Sequence, residues 1–173
     1  MKATEIGKIA LVATAFTLFG VGAVYAATTT VTATIKFVSD LTISQVTAMN
    51  FGYVQAATAG TYTLSTAGVV TPSGVGVTEG GPVAAGDYLI SGSATQTITI
   101  KTSGYSANGG TSTPSLATCD YNSTGSQACD AGISVAAPGA AGKHVKLGLK
   151  VVTTGGADGS TDSPQFTLTV TYN

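Results

Sequence analysis

The chain has 173 residues, of which 9% are charged and 43% are hydrophobic, and its formal net charge is −1. It contains no arginine, so it lacks the basic face that nucleic-acid binding requires. Its low charge and high hydrophobic content also exclude an intrinsically disordered chain. We therefore expect a folded domain that does not bind nucleic acid.

The first residues have the three regions of a secretory signal. Two lysines precede an apolar run at residues 9–24, and Val24-Tyr25-Ala26 is a small-residue cleavage pattern. A retained membrane anchor is the alternative, but threonines and glycines dilute this short run. We expect residues 1–26 to be a signal peptide and residues 27–173 to be a single exported domain. No second apolar stretch follows, so the sequence predicts no stable membrane span after cleavage. The expected location is the periplasm, cell surface or extracellular space.

Beyond the signal, apolar and polar residues alternate with a period of two, which is the pattern of half-buried strands. Clear runs occur at residues 30–37, 41–43, 61–65, 87–91, 96–101, 133–135, 145–151 and 166–172. All five prolines are expected between strands, and residues 103–115 and 155–163 are expected as surface loops. Some eight short strands without a helix predict an all-β, immunoglobulin-like antiparallel β-sandwich. A closed barrel is the competing architecture.

Cys119 and Cys129 are the only two cysteines. An even number in an exported chain predicts a disulfide between them. No histidine or third cysteine lies nearby in the sequence, so these residues do not predict a zinc site.

Catalytic patterns are absent from the sequence. His144, the only histidine, lies on the polar side of a predicted strand, and no Gly-x-Ser-x-Gly elbow is present. The seven carboxylates scattered over residues 27–173 leave a secreted hydrolase as a third alternative, because glycosidases need only two. We expect no enzyme activity and no cofactor.

Two acidic turns are weak candidates for calcium binding. Asp120 and Asn122 place oxygen ligands at alternate positions before a glycine, but the twelfth position is Ala131 rather than glutamate. Asp158 and Asp162 flank a second tight turn. Such residues are also ordinary components of turns, so no metal site is predicted from them.

Three short motifs resemble an uncharacterised family of secreted bacterial β domains. They are Leu41-Thr42-Ile43, then Met49-Asn50-Phe51-Gly52-Tyr53-Val54, and Gly60-Thr61-Tyr62-Thr63-Leu64. That family has a hydrophobic-x-Phe-Gly step, a Gly-Thr strand and a final Phe-x-Val-x-Val-x-Tyr strand, to which residues 166–172 are similar. The resemblance implies a secreted β-sandwich. The loop between the two cysteines is not part of this pattern.

The ends of the chain are also similar to fimbrial subunits of the chaperone–usher kind. Those pilins have a penultimate aromatic residue, matched by Tyr172, and a glycine about fourteen residues from the end, matched by Gly159. They usually have a disulfide in the first half of the chain, from which this sequence departs. The resemblance implies an immunoglobulin-like fold and assembly with other subunits.

These observations predict a structural subunit of a cell-surface fibre, with copies of itself or other surface subunits as partners. An end strand would leave one copy and complete the sheet of the next. The candidate residues for assembly, in the two end segments, are Val31, Ala33, Ile35, Phe37, Phe166, Leu168, Val170 and Tyr172. The alternative is an adhesion or carbohydrate-binding module that uses loop tyrosines such as Tyr105 and Tyr121.

Overall fold

A computed structural model describes residues 29–173. The predicted signal peptide, residues 1–26, lies outside the described residues. Residues 36–173 form one compact unit, whereas residues 29–35 belong to a separate unit. Among the described residues, no helix is long and apolar enough to cross a membrane.

Residues 29–173 fold into twelve strands and contain no helix, and every strand pairing is antiparallel. The strands are β1 (Thr42–Thr47), β2 (Asn50–Val54), β3 (Gly60–Leu64), β4 (Val70–Ser73), β5 (Thr78–Ala84), β6 (Gly86–Ser91), β7 (Ile98–Ser106), β8 (Ser112–Tyr121), β9 (Gln127–Ala128), β10 (Ile133–Val135), β11 (Lys143–Thr153) and β12 (Gln165–Tyr172). The all-β prediction is confirmed, with more strands than the sequence indicated.

Strand β11 organises a seven-stranded sheet. One of its edges pairs with β8, and its other edge pairs first with β6 and then with β3. β1, β4 and β9 extend this sheet from β6, β3 and β8 respectively. The predicted alternation holds, because the inward residues Val145, Leu147, Leu149 and Val151 are all buried.

Gly148 lies where β11 changes partner from β6 to β3. A Cβ atom at this position would lie 2.5 Å from the carbonyl oxygen of Leu64 and 2.6 Å from Oγ1 of Thr118. The missing side chain therefore allows β3 and β8 to approach β11 from its two sides.

A three-stranded sheet in the order β10-β7-β12 faces the seven-stranded sheet across the main core. Ile98 and Ile100 of β7 meet Ile90 of β6 and Leu147 of β11 there, and all four are almost completely buried. Burial of one such side chain contributes about 1.5–3 kcal/mol. The arrangement is sandwich-like. β2 and β5 form a separate two-stranded sheet, and none of these ladders closes into a barrel within residues 29–173.

Two β-bulges change which residues of β7 and β8 face the core. In β7 the register against β12 shifts next to Gly104, which has a φ of +66°, so Tyr105 turns inward. In β8 the register against β11 shifts next to Leu116, which has a φ of +50° and is 59% exposed, and Ala117 turns inward. A bulge re-aims the side chains that follow it, and these two bring Tyr105 and Ala117 together.

Two sequence predictions about loops are wrong. Residues 103–106 belong to β7 and residues 112–115 to β8, so the predicted loop at 103–115 is much shorter. Pro72, Pro82 and Pro114 lie within β4, β5 and β8 rather than between strands. At each of these positions the strand has only one neighbouring strand. Proline has no N–H to donate, and such edge positions are where a sheet tolerates it. The loop at 155–163 is confirmed.

Candidate functional site

Within residues 29–173, strand β12 is paired along one edge only. Residues 165–172 pair with β7, and no strand within residues 29–173 lies along the opposite edge. A free edge presents a row of backbone N–H and C=O groups that another strand can bind. Within the described part of the chain, β12 therefore has one edge whose backbone groups no strand binds.

The inward side chains of β12 form an apolar row that is only partly covered. Phe166, Leu168, Val170 and Tyr172 pack against the core but keep partial exposure. The corresponding residues of neighbouring β7, Ile98 and Ile100, are completely buried. The core is therefore covered less completely at β12 than at β7.

The other predicted assembly segment, residues 31–37, lies in no strand. Val31, Ile35 and Phe37 are 85%, 75% and 86% exposed. Ala33, between them, is also exposed. The alternation predicted a strand here, but a strand forms only where a partner supplies hydrogen bonds, and these residues pair with no described strand. The segment therefore presents an unpaired row of alternating apolar side chains.

Tyr172 ties the end of β12 to the segment that precedes β1. Its hydroxyl donates a hydrogen bond to the carbonyl oxygen of Ser39 (2.7 Å) and accepts one from the N–H of Ser93 (2.6 Å). A side chain at Gly92 would collide with this hydroxyl. Gly159, the other residue that matched the pilin pattern, lies in the 155–163 loop with a φ of +72°.

The predicted disulfide between Cys119 and Cys129 is present. It connects β8 to the residue that follows β9, with 5.9 Å between the two Cα atoms. Both residues are completely buried in the main core.

A polar cluster that the sequence did not predict lies beside this disulfide. The hydroxyls of Tyr105 and Thr102 both donate hydrogen bonds to Oδ1 of Asp130, the second at 2.8 Å. The Tyr105 oxygen in turn accepts the N–H of Ala117 at 3.0 Å. The pKa of Tyr105 is raised, mainly by burial and secondly by the hydrogen bond to Asp130. The bulge at Gly104 was the only sequence signal, and a single glycine does not identify a bulge.

The loop tyrosines proposed for carbohydrate binding do not form an exposed platform. Tyr121 is buried, and its hydroxyl donates to the carbonyl oxygen of Ala136. Tyr105 faces the core and stacks on Phe166, with 5.8 Å between ring centroids. Both tyrosines lie in strands, Tyr105 in β7 and Tyr121 in β8, so the prediction that they are loop residues is wrong.

The weak calcium candidates stay in two separate turns. Oδ1 of Asp120 accepts the N–H of Gly125 at 2.9 Å. Oδ2 of Asp162 accepts the N–H and the hydroxyl of Thr111, at 3.0 and 2.8 Å. Hydrogen bonds from Ser112 and Thr111 lower the pKa of Asp162. Residues 29–173 hold no group of three or more His, Cys, Asp or Glu side chains that could bind a metal ion, so Asp158 belongs to none; Asn122 has a φ of +52° in the turn after Asp120.

His144 lies on the outer face of the seven-stranded sheet, as predicted. Its Nδ1 is 2.8 Å from Oδ1 of Asp87 on the adjacent strand β6, and its side chain is 53% exposed. In the described part of the chain, no serine or cysteine side chain hydrogen-bonds to this histidine. The pair therefore lacks the nucleophile of a hydrolytic triad.

An open cleft of about 260 Å³ lies beside the two-stranded sheet. It is lined by Phe51, Gly68, Val69, Val70, Thr78, Gly80 and Val83. None of these residues is charged and Thr78 alone has a polar side chain, so the surface of the cleft is mainly apolar.

The chain matches no protein-family model, no curated protein and no solved structure.

Proposed function

We propose that this protein is an exported structural subunit of a cell-surface fibre that assembles by strand complementation and performs no catalysis. The observation that carries the proposal is the partly covered apolar row of β12 beside a free strand edge. The exposed, unpaired segment at residues 31–37 supplies a strand of the required pattern. In this proposal the domain is immunoglobulin-like and pilin-like.

The donor and acceptor match in length and in apolar spacing. Residues 31–37 and residues 166–172 each present four apolar side chains at every second position. At about 3.3 Å per residue, each row spans roughly 20 Å between its first and last side chains. A strand bound at this edge covers the β12 row and satisfies its free backbone groups together.

The source of the added strand decides whether a fibre forms. The hydrogen bond between Tyr172 and Ser39 holds the root of the donor segment at one end of β12. A segment that folded back on its own β12 would run parallel to it and would close the edge. A segment from another copy leaves a new edge open, and this heterologous contact repeats into a filament.

Electron microscopy and size-exclusion chromatography of the full chain test the proposal. Wild-type protein is expected to form filaments, and Ile35→Glu is expected to abolish them, because a charge would enter the apolar row. Thr34→Glu adds the same charge on the opposite face of the segment and is expected to leave filaments intact. A wild-type protein that remains monomeric at all concentrations would refute the proposal.

Deletion of residues 28–38 separates the two uses of the segment. Retained folding with lost association is expected of a donor strand. Loss of folding as well would mean that the segment completes its own domain. The adhesion-module alternative gains nothing from the structure, because Tyr105 and Tyr121 both face inward.

A further inference from the structure

Cys129 and Asp130 connect the two sheets of the core. The N–H of Cys129 donates to the carbonyl oxygen of Ala117 in β8 (3.1 Å), and its own carbonyl oxygen accepts the N–H of Thr102 in β7 (3.2 Å). Asp130 then accepts the hydroxyls of Thr102 and Tyr105. Two consecutive residues thus bind β8 of one sheet and β7 of the other.

Tyr105 extends this connection to the acceptor strand. Its ring stacks on Phe166, the first inward residue of β12, with an interplanar angle of 28°. Its hydroxyl is held on two sides, by the carboxylate of Asp130 and by the N–H of Ala117. The position of the ring, and with it the start of the β12 apolar row, therefore depends on Asp130.

The disulfide determines where Asp130 lies. The segment after β8 is otherwise attached to it by β9, which has only two residues, and by a few single hydrogen bonds. The bond from Cys119 fixes Cys129 against β8 and so places the next residue under Tyr105. Without the bond, the loop gains conformational freedom that opposes this placement.

We propose that the Cys119–Cys129 disulfide controls strand acceptance, because its closure sets Asp130 and Tyr105 against β12, so that only the oxidised chain captures a donor strand. This inference rests on the proposed fibre function. Closure removes two protons and two electrons from the two thiols. The electron acceptor is the disulfide of a thiol–disulfide oxidoreductase, which becomes a dithiol, and a dithiol reverses the step.

Asp130 and Asp120 form a matched pair for the test. Each directly follows a half-cystine, but the only hydrogen bond to the Asp120 carboxylate from the described residues comes from the N–H of Gly125, in the turn that follows β8. Asp130→Asn keeps the disulfide and the shape of the side chain, but it removes the negative charge from the oxygen that accepts hydrogen bonds from two hydroxyls. Asp120→Asn makes the same chemical change on the other side of the disulfide.

The measurement is capture of a fluorescent peptide, TTVTATIKFV (residues 29–38), by the full chain carrying Ile35→Glu, whose own segment cannot compete. Adding Asp130→Asn is expected to raise the Kd about tenfold or more, since the hydroxyls of Tyr105 and Thr102 bind a neutral amide oxygen more weakly than a carboxylate. Adding Asp120→Asn is expected to change the Kd less than twofold. The variant with Cys119→Ala and Cys129→Ala, which represents the reduced chain, is expected to lose capture.

Amide hydrogen exchange separates a positioning role from general destabilisation. In Asp130→Asn the amides of β12 are expected to exchange faster, while those of β11 keep their protection. Faster exchange across both strands would overturn the inference, even if capture weakened. If the parent chain does not bind the peptide, the fibre proposal itself fails. If the parent binds and Asp130→Asn binds equally well, only the redox inference fails, whether or not the cysteine variant folds.

Discussion

Replacement of Gly148 by alanine is expected to destabilise the protein by about 3 kcal/mol, at the upper end of the range for overpacking in a core. The new Cβ would lie 2.5 Å from the backbone oxygen of Leu64 and 2.6 Å from Oγ1 of Thr118. Leu64 is completely buried and paired with β11, so its backbone cannot move away. Conformational propensity alone would make Gly148→Ala stabilising, because alanine in a strand is favoured over glycine by about 0.5–1 kcal/mol.

Urea unfolding followed by far-ultraviolet circular dichroism gives the free energy difference for this variant. Gly156→Ala is the control, because its nearest neighbour, at 2.9 Å, is the hydroxyl of Ser160, which can rotate away. We expect that control to stay within about 0.5 kcal/mol of wild type. Adding Thr118→Ala to Gly148→Ala removes one of the two collisions and should restore part of the loss. A Gly148→Ala protein as stable as wild type would show that β3 and β8 do not enclose β11 as described.

Three further predictions concern ionisable groups. The pKa of Asp162 is lowered by hydrogen bonds from Ser112 and Thr111, so its stabilisation is present above about pH 4 and is lost as the pH falls through the folded pKa. The protection of the Thr111 amide, measured against its intrinsic exchange rate at each pH, should therefore fall in acid, but not with that pH dependence in Asp162→Asn. Burial raises the pKa of Tyr105, so its stabilisation is present below about pH 10 and is lost as the pH rises through the folded pKa. Denaturant titrations should therefore show that Tyr105→Phe loses less unfolding free energy at alkaline pH than wild type does. An equal loss would contradict this assignment. His144→Ala should change the unfolding free energy by less than about 1 kcal/mol, because exposed ion pairs contribute little, and a larger change in thermal or urea unfolding would assign the pair a structural role.

The strands that could be predicted are those with one buried and one solvated face. In β11 and β12 every second residue is apolar, and the structure buries or partly buries that set. The alternation directly reflects the pleat, since successive side chains point to opposite faces. For such strands, the period of two in the sequence was sufficient to predict the strand and its buried face.

The strands that were missed lack that contrast. β5 reads Thr-Glu-Gly-Gly-Pro-Val-Ala and is exposed along most of its length, so neither face selects apolar residues. In β8 the bulge at Leu116 shifts the inward positions by one residue, which breaks the alternation in the middle of the strand. A period-two pattern cannot reveal a strand whose register changes within it.

The candidate site was visible in part. The apolar rows at residues 31–37 and 166–172 stand out in the sequence, whereas the free edge of β12 depends on the order of strands, which a single sequence does not contain. The contact between Tyr105 and Asp130 joins residues 25 positions apart through a bulge, and local patterns carry no information about it.

The central place of β11 also determines when the larger sheet can exist. β3, β6 and β8 all precede β11 in the chain, and each meets its shared partner only after residues 143–153 have been synthesised. Until then each of these segments has an unpaired edge, and closing such long loops makes formation of non-local sheets slow. During synthesis from the N-terminus, the larger sheet therefore stays incomplete until almost all of the chain has been made.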